Sequence, residues 1–388
     1  MRINLALLNI LNSPRKTALS ISGIGVAILL VFMQLGFRGA VENTATNIYG
    51  KLDFDVLVRS PNYLHFVDAG TTPSRYLDEI AGAEGVTQAN FLDVSVVNWR
   101  NPVGQMKGIL LLGVSPSQSP FRDRHVDRDF KHLLSLDSIL IDRQSHHEFG
   151  PVNQKTFAKA DVGREFEVGG QAMKITGLFD MGAGLAANGA AIVADKSFQM
   201  MVPTFRDGEV TFGLIKLEED VPVDSFVAAI QARFTDPQHG PLVEVLTRDQ
   251  VLQRELDRWL GETPIGFIFT LGVLISLIVG AAIVYMVLGN DVANRLHEYA
   301  TLKAMGYSNV YMAGVVIRQA GYLALFSFVP ALVVALLLYW STSWLANLAM
   351  EMTMARVGFV LLLTLMMCGC AGTLALKKLW QAEPAELF

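Results

Sequence analysis

The sequence predicts a membrane protein with four transmembrane helices and one large α+β extracytoplasmic domain, inserted between the first and second helices. Three observations support this fold class. Hydrophobic residues make up 52% of the chain and charged residues only 17%, whereas average soluble domains contain about 25% charged residues. The apolar residues are concentrated in four long runs, and a helix needs roughly 20 such residues to cross a bilayer. Between the first two runs lies a long segment with a mixed strand and helix pattern.

The four apolar runs occupy residues 17–37, 264–288, 313–340 and 357–376. The first two runs contain no charged residue. The first run follows two basic residues, as a signal peptide would, but it exceeds the usual h-region of about 7–15 residues and no A-x-A cleavage site follows it. We therefore expect the first run to remain as a membrane span.

The third run contains two features unusual for a membrane span. Arg318 lies near its cytoplasmic end, where its long side chain can reach the lipid headgroups. Ionisable residues inside spans are often functional, but this position favours the headgroup contact. Pro330 lies further inside the run and is expected to kink the helix.

The distribution of Lys and Arg in the short flanking segments predicts the orientation. Basic residues occur in the N-terminus (1–16), in the 289–312 loop and in the C-terminal tail (377–388), whereas the 341–356 loop has only Arg356. Both termini and the 289–312 loop are therefore expected in the cytoplasm. The 38–263 segment then lies on the outer side of a bacterial inner membrane.

The 38–263 segment reads as a layered α+β unit. Alternating or continuous apolar runs predict strands, and an insertion with its own small sheet is expected at about 115–204. A proline opens the first predicted helix, and the second is amphipathic. The predicted strands are 53–59, 91–99, 104–114, 138–142, 171–179, 189–194, 209–217 and 242–247, and the predicted helices are 73–83 and 223–234.

Two further segments are expected to form a stalk. Residues 38–51 continue the first span with helix-compatible residues, and residues 248–261 form a charged amphipathic helix that leads into the second span. Two helices rising side by side from the membrane could transmit motion to the outer domain. Two ordinary connecting helices would give the same pattern.

Small residues in the second span indicate close helix packing. Gly272, Ser276 and Gly280 recur every four residues, which places them on one helix face where two backbones can approach closely.

Common catalytic motifs are absent from the sequence. It contains no G-x-x-x-x-G-K-[ST] run for ATP and no H-E-x-x-H or G-x-S-x-G. His146 and His147 are adjacent, and side chains of adjacent residues usually point apart, so a metal site there is disfavoured. Cys368 and Cys370 lie in an apolar run and fit packing better than redox chemistry. The net charge of −5, without a basic stripe, argues against nucleic-acid binding.

The cytoplasmic segment 291–309, DVANRLHEYATLKAMGYSN, is too regular for a simple loop. Apolar residues at helical spacing are followed by Gly306, which provides a helix stop. A short amphipathic helix at the membrane face can dock into a groove of another protein, or it can rest on lipid headgroups.

Several motifs make the chain resemble the DevC family of ABC transporter permeases, within the broader FtsX- and MacB-like superfamily. The matching segments are FMQLGFR at 32–38, EFGP at 148–151, TPIGFIF at 263–269, EYATLKAMGY at 298–307 and AEPAELF at 382–388. The resemblance runs essentially end to end and keeps the order of the spans.

The resemblance implies a homodimeric permease that binds no cofactor itself and pairs with a separate, DevA-like ATPase subunit. It further implies a DevB-like membrane-fusion protein, a TolC-like outer-membrane duct and export of glycolipid or other hydrophobic cargo. MacB-like relatives are described as mechanotransmitters that move their stalks. They carry the ATPase on the same chain, whereas here we expect it on another chain.

The resemblance also assigns a coupling role to the cytoplasmic helix. Polar groups at the ATPase groove would be Arg295 and Glu298, and apolar anchors would be Tyr299, Leu302 and Met305, with Lys303 and Gly306 in the same segment. Two other functions share this topology, namely an FtsX-like regulator of an extracellular cell-wall hydrolase and a lipoprotein-releasing permease. Neighbouring genes would distinguish them.

Overall fold

A computed structural model of the chain describes residues 14–122, 130–182, 188–294, 301, 305–346 and 350–381. The chain divides into two compact units. One unit combines the residues up to Ala40 with those from Leu260 onward, and the other comprises Val41–Trp259.

The helices and strands follow one another in a strand-rich order between the first long helix and the last three. In chain order they are α1 (Pro14–Lys51), β1 (Val56–Arg59), β2 (Thr72–Pro73), α2 (Ser74–Ala81), β3 (Val86–Arg100), β4 (Met106–Val114), β5 (Ser138–Asp142), β6 (Glu165–Val168), β7 (Gln171–Phe179), β8 (Ala190–Ala194), α3 (Asp195–Met201), β9 (Glu209–Val210), β10 (Phe212–Leu217), α4 (Val223–Arg233), β11 (Thr235–Asp236), β12 (Gly240–Pro241), β13 (Glu244–Thr247), α5 (Arg248–Asp257), α6 (Pro264–Asn294), α7 (Asn309–Ala346) and α8 (Met354–Gln381).

Four of these helices, α1, α6, α7 and α8, are long and apolar enough to cross a membrane. The predicted fold class, four such helices with a large α+β domain between the first and second, is confirmed. The helices are longer than the apolar runs. α1 continues past residue 37 to Lys51 as one helix, because residues 38–51 contain no proline. α7 likewise continues through Pro330.

The helical unit has its own apolar core, to which α1, α6, α7 and α8 all contribute. Phe32 of α1 and Phe328 of α7 lie 5.8 Å apart between ring centroids. A buried polar contact in this unit joins α7 to α6: Gln319 is buried, and its Nε2 donates to Asp291 Oδ2 at 2.7 Å. Its neighbour Arg318 is exposed.

The domain unit is built on a nine-stranded sheet in the order β13-β1-β10-β3-β4-β8-β5-β7-β6. An additional pairing of β3 with β6, in which Trp99 lies opposite Val168, closes the last six strands into a barrel. Apolar side chains fill the barrel, and the Trp99 and Phe166 rings lie 4.6 Å apart inside it.

The expected insertion at 115–204 does not have a sheet of its own. Its strands β5 to β8 complete the barrel with β3 and β4, which precede it: β8 pairs with β4 in parallel, with Leu110 opposite Ala190. The prediction was wrong because alternation shows which face of a strand is buried but not which strand lies beside it. The predicted strand 209–217 is also divided, into β9 and β10.

The remaining strands, β13, β1 and β10, form an open half-sheet with the first part of β3. α2 and α4 pack on one face of this half-sheet through Leu77, Ile80 and Ile230. On the other face, the C-terminal end of α1 packs through Tyr49, and helix α5 packs through Val251. That second face therefore holds a part of each segment predicted to form the stalk.

Candidate functional site

Most of the predicted ATPase-coupling residues, namely Arg295, Glu298, Tyr299, Leu302 and Lys303, lie outside the described residues.

Met305 and Gly306 are described. The N–H of Met305 donates to the carbonyl of Thr301 at 3.0 Å, a helical bond, and its side chain is 64% exposed. Gly306 has φ +89°, a conformation typical of glycine just past a helix end. Three neighbours that the sequence reading did not single out, Tyr307, Val310 and Tyr311, are also exposed.

The three small residues of the second span face neighbouring helices. A Cβ added at Gly272 would meet the side chain of Gln34 of α1, and one added at Gly280 would lie 2.9 Å from Cβ of Ala27 of α1. Ser276 is buried, and its Oγ donates to the carbonyl of Gly272 at 2.7 Å. The two glycines therefore face α1, and Gly280 also faces Met367 of α8.

The C-terminal end of α1 is held by the guanidinium group of Arg248, the first residue of α5. One nitrogen, Nη2, donates to the carbonyls of Tyr49 at 2.8 Å and Gly50 at 3.3 Å. The other, Nη1, donates to the carbonyls of Leu52 at 3.1 Å and Phe54 at 3.3 Å. The last carbonyls of a helix lack intrahelical partners, and a cation there also interacts favourably with the helix dipole.

The position of Arg248 is fixed by the start of α5. Thr247 caps this helix: its side chain accepts from the N–H of Gln250, and the Gln250 side chain accepts from the N–H of Thr247 at 3.1 Å. This reciprocal arrangement is a capping box. The backbone N–H of Arg248 donates to the carbonyl of Asp55 at 3.1 Å, so the residue is attached at both its backbone and its side chain.

A buried polar cluster joins the same two helices about two turns further along α5. The hydroxyl of Tyr63 donates to Oε1 of Glu255 in α5 and lies 2.9 Å from the hydroxyl of Tyr49 in α1. The guanidinium of Arg59 lies over the Tyr63 ring at 3.7 Å, and its Nη1 is 3.5 Å from Glu255 Oε1. Arg59 also binds Oε2 of Glu244 through Nε at 2.6 Å.

Burial is the main cause of the pKa shifts in this cluster. Glu255 is 1% exposed and Arg59 is 4% exposed. Burial raises the pKa of Glu255 above its usual range, although the Tyr63 hydroxyl and the Arg59 charge act in the opposite direction. Burial, and then the adjacent Glu255, raise the pKa of Tyr63. The cluster therefore holds its charged groups out of water, where separating them is costly.

A second attachment joins the end of α1 to the barrel. Asn47 Nδ2 donates to the carbonyl of Met181 at 2.7 Å, and Lys51 Nζ donates to the carbonyl of Asp180. The segment after β7 is itself held by the buried Asp142, whose oxygens accept the N–H groups of Met181 at 2.9 Å and Gly182 at 3.0 Å. Helix α1 thus contacts both halves of the domain at its C-terminal end.

Sequence reasoning located the two helices of this junction but not the residues that join them. The T-R-D-Q run at 247–250 carries the capping-box signal and was available as a marker of the start of α5. The guanidinium of Arg248 donates to backbone carbonyls, and a pattern of side chains along the sequence does not predict bonds to the backbone.

Among the residues that the structure describes, no group of three or more His, Cys, Asp or Glu side chains could hold a metal ion. His146 Nδ1 lies 3.6 Å from Glu148 Oε1, whose carboxylate also binds Lys107 at 3.0 Å. The two cysteines are free thiols, Cys368 buried and Cys370 exposed.

Comparison with known proteins gives one family match. Residues 270–384 match the family described as FtsX-like permease C-terminal, and this region spans less than a third of the chain. It covers most of α6 and all described residues of α7 and α8. Together with the four membrane-length helices, the match identifies a multi-pass membrane protein. No curated protein matches the sequence.

Two solved structures resemble the domain weakly. The extracellular domain of the noncanonic ABC-type transporter YknZ from Gram-positive bacteria has a TM-score of 0.35 and 14% identity, and the match covers 50% of this chain and 99% of that chain. The periplasmic region of MacB from Actinobacillus actinomycetemcomitans has a TM-score of 0.37 and 8% identity, covering 54% of this chain and 95% of that chain. Scores at this level do not establish a shared fold.

Proposed function

We propose that this protein is the membrane permease subunit of an ABC-type export complex. The observation that carries the proposal is the match of residues 270–384 to the FtsX-like permease C-terminal family, over a region that contains two of the four membrane-length helices and most of a third. The chain contains no P-loop sequence, so the proposal places ATP hydrolysis on a partner subunit and assigns this chain no cofactor.

The geometry of α1 supports a role in transmitting motion. A single helix contains the first apolar run and extends to Lys51, where four carbonyls at and just beyond its end accept bonds from Arg248. Movement of α1 along its axis would break these bonds unless α5 moved with it. ATP-driven movement at the cytoplasmic side would therefore reach the outer domain through α1, as a rigid-body displacement.

The cytoplasmic segment 289–312 is proposed to receive that movement. Arg295 and Glu298 would face the groove of the ATPase, and Tyr299, Leu302 and Met305 would be its apolar anchors, beside Lys303 and Gly306. The exposure of the Met305 side chain supports its availability to a partner. This role requires both termini in the cytoplasm and the domain of residues 41–259 on the periplasmic side.

The finer assignment follows the resemblance to DevC-like permeases. We propose a homodimer that works with a DevA-like ATPase, a DevB-like membrane-fusion protein and a TolC-like outer-membrane duct to export glycolipid or another hydrophobic cargo. The FtsX-like match equally suits a regulator of an extracellular cell-wall hydrolase, which is the second candidate. The two differ in the partner of the outer domain: a fusion protein for export, a hydrolase for regulation.

Co-expression with a candidate ATPase subunit tests the permease role. Replacing both Tyr299 and Met305 with Asp should abolish co-purification with the ATPase and the stimulated ATP turnover, because a charge cannot enter an apolar groove without a partner. The matched control is V103D, which makes the same kind of change at an exposed residue between β3 and β4 (79% exposed) and should leave both readouts unchanged. Unchanged turnover in the double variant would refute the coupling role.

Orientation is tested separately with a cysteine placed at Lys303. A membrane-impermeant maleimide should label this cysteine only after the inner membrane is opened, whereas a cysteine at Val103 should be labelled as soon as the periplasm is accessible. The reverse pattern would place the coupling segment on the wrong side for an ATPase.

A further inference from the structure

Strand β3 has an uncovered edge in the middle of its length. Its pairing with β10 ends at Leu92, and its pairing with β6 begins at Trp99. Between these positions β4 pairs with the opposite edge throughout. No strand within the described residues covers the edge that faces away from β4.

Backbone groups of every second residue point towards this edge. The N–H of Val94 donates to Thr211 Oγ1 at 3.2 Å, and the carbonyl of Asn98 accepts from the N–H of Gly169 at 2.8 Å. Because these directions alternate along an antiparallel strand, the N–H and carbonyl of Val96 point the same way, midway between them. The edge thus offers four groups to an added strand: the Val94 carbonyl, both groups of Val96 and the Asn98 N–H.

Specific side chains hold the neighbouring strands apart at both ends of this edge. At one end, Oδ1 of the buried Asp93 accepts the N–H of Thr211 at 3.0 Å, so side-chain bonds replace the ladder just before β10 begins. At the other end, Gly169 has φ +56°, and a Cβ there would lie 2.7 Å from Cβ of Met201. Only glycine fits this turn, which directs the chain away from β3 after β6.

A cleft of about 470 Å³ lies along the uncovered edge. Apolar side chains form much of its wall, and two of them are unusually exposed: Val96 at 42% and Met106 at 47%. The charged side chain in the lining is Glu167, which is bound to Arg100 at 2.9 Å in a partly exposed pair. The lining residues are Ser95, Val96, Val97, Asn98, Met106, Glu167, Gly169, Gly170, Met201, Val202, Pro203 and Thr204.

We propose that this cleft binds an extended segment of a partner protein, which adds as a strand beside Val96. The open backbone groups are spaced for an extended chain and not for a helix. The six uncovered positions of β3 span about 20 Å at roughly 3.3 Å per residue. Because Thr211 and Gly169 already bond to the two ends of this edge, three or four residues of an added strand would fit between them. Apolar side chains at alternate positions would meet Val96 and Met106, and a basic residue would face Glu167. This site goes beyond the permease role and requires neither an ATPase nor a given orientation.

A defined peptide tests the proposal on the full chain in detergent. The probe is fluorescein-labelled Thr-Val-Thr-Val-Thr-Lys amide, followed by fluorescence anisotropy. The wild-type chain should bind it saturably in the micromolar range. A peptide with N-methyl groups on alternate amides in the strand-pairing register should bind at least tenfold more weakly, and methylation in the other register should have little effect.

Two protein variants locate the binding. V96P removes an N–H that bonds to no strand in the described residues, so the domain should fold and lose at least tenfold in affinity. S95P is the matched control for folding: position 95 pairs with Leu111 of β4, so this change should disrupt the barrel. E167Q should weaken the Lys peptide several-fold and leave a Gln-terminated peptide unchanged.

Hydrogen exchange of residues 93–98 provides a measurement that needs no variant. The peptide should slow exchange in this segment of the wild-type chain. Absence of binding, absence of protection, or binding that V96P leaves unchanged would overturn the proposal. A shift of the peptide-free chain from dimer to monomer in V96P would also overturn it, because the occupant would then be a second copy of this chain.

Discussion

Replacing Arg248 with Met should loosen the end of α1 without altering the rest of the domain. The two shorter bonds, to the carbonyls of Tyr49 and Leu52 at 2.8 and 3.1 Å, contribute about 1 kcal/mol each once the partial exposure of the site is allowed for. The cation beside the helix C-terminus adds roughly 0.5 kcal/mol. The two bonds at 3.3 Å add little, so R248M should cost about 2–3 kcal/mol.

For a domain of this size, 1 kcal/mol corresponds to a change in Tm of about 2–4 °C. The full chain in detergent should therefore unfold roughly 5–10 °C lower in R248M, measured by circular dichroism at constant detergent concentration. If the junction transmits motion, stimulated ATP turnover should persist while export falls, because the ATPase remains bound but its movement no longer reaches the domain.

Two control variants distinguish the effect of the planar guanidinium group of Arg248 from the effect of its positive charge. R248K keeps the positive charge but lacks the planar fork that binds several carbonyls, so it should lie between wild type and R248M. R206M removes an exposed arginine in the loop before β9 and should change Tm by less than about 1 °C. A Tm of R248M within 1 °C of wild type, with export intact, would refute both the estimate and the role of the junction.

Two further predictions follow from buried positions. Burial, with a contribution from Asp195, raises the pKa of Asp93 from 3.8 to about 7, so the contribution of its carboxyl group to the stability of the fold is complete below about pH 4 and is lost as the pH rises through 7. The D93N variant keeps an acceptor oxygen but does not titrate, so it should flatten the fall in Tm between pH 4 and 8. An unchanged slope of Tm against pH would contradict this. G280V should lower Tm by several degrees, because its Cβ would lie 2.9 Å from Cβ of Ala27 and overpacking costs about 1–3 kcal/mol. The control is G358A, since the Cβ added there has nothing within 4 Å. Equal effects of the two changes would exclude close packing as the cause.

The helical part of the fold was predictable because it depends on composition and length. A run of about 20 apolar residues can satisfy its backbone groups in a bilayer only as a helix or a closed barrel, so each run identified its element. The ends were less predictable, since the run at 17–37 marks where the apolar residues stop and not where the helix stops. Helix α1 ends at Lys51, where carbonyl groups bind Arg248.

The barrel could not be derived from the sequence in the same way. The strands at 138–142 and 171–179 were predicted with the bounds that the structure gives to β5 and β7. Their neighbours depend on contacts distant in sequence, such as the packing of Trp99 on Phe166. The two glycines predicted to pack in the second span both lie against α1, as Gly272 does against Gln34, because a four-residue spacing fixes the helix face.

The two attachments of α1 to the domain differ in strength, and this difference indicates which part of the domain would follow the helix. Moving α1 away from α5 would break the bonds of Arg248 to the end of α1, which contribute about 2–3 kcal/mol together, and the bond between the Tyr49 and Tyr63 hydroxyls, at about 1 kcal/mol. The attachment to the barrel side depends on Asn47 and Lys51, which bind backbone carbonyls near the surface at about 1 kcal/mol each. Helix α5 should therefore follow a displacement of the end of α1 more closely than the segment after β7, which is attached by the weaker bonds.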